Sequence, residues 1–205
     1  MDSHVPHANP TGAALRRVVR LVVLLNLGYF GVEFAAALAI GSVSLFADSI
    51  DFLEDAAVNS LILVALGWST HRRSLVGMVL AAILLVPGLA TLWTAWEKLS
   101  VPVPPAPVPL SLAGLGALVV NLCCTCLLVR FRTQSGSLTR AAFLSARNDV
   151  LANIAIIAAG LVTAATVSLW PDLVVGLGIF LMNLDAAREV YTAARRERAL
   201  ESAEP

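Results

Sequence analysis

Six apolar stretches dominate the chain, each near the ~20 residues that a helix needs to cross a bilayer. They fall at roughly 17–40, 48–68, 75–97, 108–130, 140–165 and 172–192. Of the 205 residues, 58% are hydrophobic and only 14% are charged, more apolar surface than a water-facing domain can hide. The expected fold class is therefore all-α integral membrane, a six-transmembrane-helix bundle. The first stretch is too long for a cleaved leader, and no small-residue cleavage site is followed by a soluble domain.

The basic residues set an orientation. Arg16, Arg17 and Arg20 precede span one; His71, Arg72 and Arg73 join spans two and three; Arg130, Arg132 and Arg140 join spans four and five. Arg188, Arg195, Arg196 and Arg198 close the chain, whereas the opposite loops hold one basic residue, Lys98. Basic loops stay in the cytoplasm, so both termini are expected there. An even number of spans gives the same parity. The expected organisation is a tail over 1–14, a six-helix domain over 15–195, and a short polar tail over 196–205 with no soluble metal-binding domain. The segment "VPVPPAPVP" (101–109) reads as a stiff, extended spacer. Pro87-Gly88 is expected to kink span three.

Against this apolar background stands "SLFADSIDFLED" (44–55), which holds Asp48, Asp51, Glu54 and Asp55. An acid at a helix centre costs ~2.5–3.5 kcal/mol on insertion scales, and such residues face a bundle interior or a wet cavity along a transport path. Asp51 and Asp55 are four apart, hence on one helix face, and Asn59 continues the stripe. Span five repeats the spacing with Ser145, Asp149 and Asn153. Two such stripes facing each other form a site of about four oxygen-bearing groups. Like charges held together away from water resist ionising together, and a divalent cation or protons relieve the conflict. Asp48, near the start of its span, suits a helix N-terminus instead. Glu54 points away from the Asp51–Asp55 face, and Arg147 lies on the other side of span five from Ser145 and Asp149.

"NLGYFGVEFAAALAIGSVSLFADSIDFLEDAAVN" (26–59) resembles the first two spans of the cation diffusion facilitators, the cation efflux family. "AAFLSARNDVLANIAIIAAGLV" and "WPDLVVGLGIFLM" are similar to its fifth and sixth spans. The resemblance implies a tetrahedral transport site made by a pair on span two, Asp51 and Asp55, and a matching pair on span five, Ser145 and Asp149. Ser145 departs from the pattern, standing where His or Asp is expected. A hydroxyl is a poor zinc ligand, and three carboxylates without imidazole make a harder site. Asn26 and Glu33 in span one fit the family pattern, so Asn26, Glu33, Asn59 and Asn153 are candidate pathway residues.

The other candidate ligands are weaker. Cys123, Cys124 and Cys126 in "NLCCTCLL" are soft donors, but small residues also pack helices in membranes. His4, His7 and His71 are scattered, the last beside two arginines. No histidine lies in any span and no nucleophile–base pair is evident, so an enzyme is not expected. The expected function is secondary export of a divalent cation of the zinc, cobalt, cadmium or manganese class from the cytoplasm by proton antiport, in the cell membrane. The alternative is a non-transporting scaffold or partner subunit that kept the fold. Expected partners are the metal ion as substrate, protons and the lipid bilayer, with a homodimer as the candidate assembly and no nucleic acid. No permanently bound cofactor is expected.

Overall fold

A computed structural model describes residues 10–65, 89–129 and 137–201. The described residues form helices and no strand. These are α1 (Pro10–Ile40), α2 (Val43–Ala65), α3 (described over 89–100), α4 (Pro107–Leu128), α5 (Ser137–Thr166) and α6 (Trp170–Glu201). Among the described residues, three stretches are long and apolar enough to cross a membrane: Ala13–Ile40, Pro107–Leu128 and Asn148–Thr166. At ~1.5 Å per residue the 23 residues of α2 also have the length, but its four acids interrupt the apolar pattern. The sequence around 66–88, with the Pro87-Gly88 pair and His71, lies outside the described residues, as do His4 and His7.

The burial pattern is the reverse of that of a water-soluble bundle. Asn26, Glu33, Asp48, Asn59, Asn121, Asp149 and Asn153 are buried, while Leu24, Val32, Leu38, Leu112, Val119, Leu161, Val174 and Leu181 face outward. With lipid as the outer solvent, apolar side chains gain nothing by pointing inward. Polar ones must find partners within the bundle. α2 is the central helix and touches α1, α4, α5 and α6. Its first eight residues, Val43 to Ile50, are buried all round.

α1 and α2 form a helical hairpin. Gly41 adopts a left-handed backbone (φ 61°) that a side chain would strain, and Ser42 N–H donates back to Ala37 O at 3.0 Å, closing the end of α1. The antiparallel register then sets α1 residues against α2 residues. Tyr29 packs on Phe52 with ring centroids 5.2 Å apart, and Phe34 on Phe46 at 5.5 Å. α4 packs on α5 through small residues: a Cβ at Gly114 would meet Ile156 Cγ2 at 2.8 Å, and one at Gly160 would strike Ser111 Oγ. α4 itself opens on Pro107, after Ala106 in extended backbone (φ −65°, ψ 117°), so the last three residues of the segment read as an extended spacer, 107–109, are helical instead, with Pro in the first turn where its missing N–H costs nothing.

A clasp locks the start of α2 to α6. Asp172, wholly buried, accepts from Ser42 Oγ at 2.6 Å, Ser44 Oγ at 2.6 Å, Val43 N–H at 2.9 Å and Ser44 N–H at 3.1 Å. The acid that caps α2 therefore comes from another helix, and Asp48 does not serve there. Lys98 donates to Gly41 O at the end of α1, and its charge faces Asp172. The approach is close, since a Cβ at Gly176 would meet Val43 C at 2.7 Å and Ser44 N at 2.8 Å.

Helix extends into both ends of the chain. α1 begins at Pro10 and α6 continues to Glu201, so much of the segment read as a polar tail is helical. The reason is composition: "AARRERALE" is made of strong helix formers, and a helix already started by the preceding span propagates through them.

Asp172→Ala strips four donors of their shared acceptor, two of them at the N-terminus of a buried helix. The expected loss is on the order of 3 kcal/mol. Thermal unfolding in detergent measures it, and Ser44→Ala, which removes one of the four bonds, is expected to lose less.

Candidate cation site

Asp51, Asp55 and Asp149 all turn toward the interior. Asp55 is 8% exposed and Asp149 7%, while Asp51 is part-buried. Asp51 on α2 and Asp149 on α5 lie within hydrogen-bonding reach of each other. Asp55 acts on Asp149 through its charge, as does Asp48. The four-residue spacing explains the convergence, because it keeps both α2 acids on the stripe that meets α5. Asn183 on α6, with its amide oriented to donate, bonds Asp51 Oδ1 at 3.1 Å and Ile179 O at 3.2 Å. Sequence reasoning missed Asn183. Its signal was a lone amide at the polar end of an apolar run, "GIFLMN".

The side chain of Ser145 lies outside the described residues, as does that of Arg147. Among the described residues, no three His, Cys, Asp or Glu side chains stand in ligating positions around one point. The carboxyl groups gather in pairs. One pair is Asp51–Asp149. The other is Glu33 and Asp48, which lie within hydrogen-bonding reach across the α1–α2 hairpin.

The remaining expected pathway residues are all inside. Asn153 Nδ2 donates to Asp48 Oδ2 at 2.7 Å, and Asn153 Oδ1 accepts from Asn121 Nδ2 at 3.1 Å. This chain runs from α4 through α5 to α2, and Asp48 is its end. Asn59 Nδ2 donates to Asp55 O at 2.8 Å, one turn back on its own helix. Asn26 Oδ1 accepts from Cys124 Sγ at 3.7 Å. Cys123 and Cys126, three apart on one outer face of α4, are exposed while Cys124 is buried, so the three thiols do not gather at one point. Helical spacing accounts for this, since adjacent residues lie ~100° apart around the axis.

These features define a helical membrane protein whose interior is lined with carboxyl and amide groups and whose outer face is apolar. The family model of the cation efflux transmembrane domain matches residues 19–196, and the chain belongs to the cation efflux family. It is, in general terms, a metal-cation efflux transporter, and members of this family are transporters rather than enzymes.

Asn153→Leu leaves Asp48 Oδ2 and Asn121 Nδ2 without their partner, an expected loss of about 1–3 kcal/mol for each stranded group. Asn121→Leu strands only Asn153 Oδ1 and is expected to cost less. Detergent unfolding of the two single variants and the double variant checks this order, and the double should fall short of the sum because the groups share one chain.

Proposed function

We propose that the chain exports a divalent cation from the cytoplasm in exchange for protons, as a secondary carrier in the cell membrane. Asp51, Asp55 and Asp149 would take the ion from the cytoplasmic side, with Ser145 or a water completing the shell. The six spans, with both ends in the cytoplasm, would rock to open the site outward. Protons arriving on the carboxyl groups would then release the ion and reset the carrier. One observation supports this reading above the others: acids from two different helices, Asp51 and Asp149, meet within hydrogen-bonding reach in a nearly sealed interior. Two carboxylates in that setting repel unless a dication or a proton lies between them, which is what an exchange carrier needs.

The donor set bears on which ion is carried. Three carboxylates and a hydroxyl suit a harder ion with a retained water better than they suit zinc, which binds best to sulfur, nitrogen and carboxylate in a closed tetrahedron. The zinc, cobalt, cadmium and manganese class remains the substrate range of the proposal.

Purified protein in vesicles that report internal metal and pH separates a carrier from a scaffold. The wild type is expected to move metal one way and protons the other. Asp55→Ala and Asp149→Ala are each expected to lower metal flux at least tenfold while the protein still inserts. Flux that survives in both variants would refute the transport role of these acids.

Ser145→His is expected to raise the preference for zinc over manganese or cobalt, because an imidazole nitrogen replaces a weak oxygen donor. Competition between the metals in the same vesicles reads this. Unchanged preference in a variant that still transports places Ser145 away from the ion.

A further inference from the structure

The Asp51–Asp149 pair is not the whole of the acidic interior. Glu33 and Asp48 face each other across the α1–α2 hairpin, both 0% exposed and within hydrogen-bonding reach. Asp48 uses one oxygen, Oδ2, to accept from Asn153. Its other oxygen, Oδ1, has no partner, and neither has either oxygen of Glu33. Three carboxyl oxygens thus stand buried without a donor, beside one oxygen that is held in place.

We propose that Glu33 and Asp48 form a second site in this carrier, a carboxyl dyad that binds one proton between Asp48 Oδ1 and a Glu33 oxygen. The role in transport rests on the carrier reading above; the existence of the site does not.

The argument is one of satisfaction and charge. A carboxylate only accepts, so two of them in contact make no bond, and each leaves its buried oxygens stranded. Placing a single proton between them converts one group to a donor. It satisfies an oxygen on each side and removes one of two like charges from a water-poor interior. The dyad then titrates as a unit with a net charge of −1. Asn153 decides which Asp48 oxygen is left to share the proton, because its amide occupies the other. Along the hairpin the Tyr29–Phe52 and Phe34–Phe46 ring pairs stand on either side of the pair, which is itself 0% exposed. A metal fits this place poorly, since a hard cation takes about six oxygens and the dyad offers three free ones.

Among the described residues, the surroundings hold no compensating cation. Among the described residues, the charged groups acting on the pair are Asp51 and Asp55 on α2 and Asp149 on α5, all acids, with the Tyr29 phenol on α1 beside them. α4 contributes the neutral amide of Asn121 through Asn153. Asp51 acts on both members of the dyad. A dication arriving at Asp51 and Asp149 therefore lowers the cost of a second negative charge at the dyad, and the shared proton can leave. When the dication departs, the dyad takes a proton back. Metal and proton are coupled through the field along α2, with no shared ligand.

The test uses the full chain in lipid vesicles, without metal, at neutral pH. Infrared spectroscopy is expected to show the C=O stretch of a protonated carboxyl group that disappears in Glu33→Gln and, independently, in Asp48→Asn. The double variant is expected to remove no more signal than either single one, because one proton is shared. A carboxyl signal that persists unchanged in both single variants overturns the dyad. The second reading is the number of protons moved per metal ion, expected to fall in Glu33→Gln. An unchanged ratio, with the infrared signal lost, overturns the coupling role. A wild type that moves no metal but shows the signal overturns the carrier reading and leaves the dyad standing.

Discussion

The constraint on which the rest of this structure depends is the burial of α2. A helix carrying Asp48, Asp51, Glu54 and Asp55 touches α1, α4, α5 and α6 and is sealed all round along its first eight residues. In lipid, no water is available to satisfy these groups, so every neighbour of α2 must answer a polar need as well as a packing one. α6 answers twice, with Asp172 at the helix start and Asn183 on Asp51. α5 answers with Asn153 and Asp149, α4 supports Asn153 through Asn121, and α1 supplies Glu33.

This distribution separates two kinds of acid. Asp172 is fully paired, with four donors converging on its carboxylate at a helix N-terminus, where the dipole also favours negative charge. It serves the fold. Asp48, Asp51 and Asp149, together with Glu33, are gathered with one another and have few donors. Acids so placed destabilise the apo bundle and gain most when a positive charge enters. A fold that tolerates them needs firm supports elsewhere, and the clasp of Asp172, Lys98 and the α1–α2 turn is one such support. The close approach at Gly176, where no side chain fits, is another.

Much of the site is legible in the order of residues along the chain. The four-residue repeat of Asp51, Asp55 and Asn59, matched by Ser145, Asp149 and Asn153, names two stripes from helical geometry alone, and the structure brings Asp51 to Asp149. Asp48 is the exception. Its place near the start of a span suggests a cap, but α2 begins at Val43, so Asp48 sits in the second turn and faces Glu33 and Asn153. The cap comes from Asp172, 129 residues away from Val43 in the chain, a partnership that no local pattern encodes. Asn121 and Asn183 escape a sequence reading for a similar reason: one amide in an apolar helix has no spacing to interpret.

By itself the sequence determined the class of protein and the apolar exterior. It also determined the helical phase of its acids, because length, hydropathy and a 3.6-residue period act within a single segment. Only the tertiary structure decided which acids meet. Pairing across helices depends on the register of the α1–α2 hairpin, set by the left-handed Gly41, and on the clasp that holds α6 against α2. A shift of a single residue in that register would turn Glu33 away from Asp48 by ~100°. The sorting of these carboxyl groups into one that caps a helix and two facing pairs is thus a property of packing between helices.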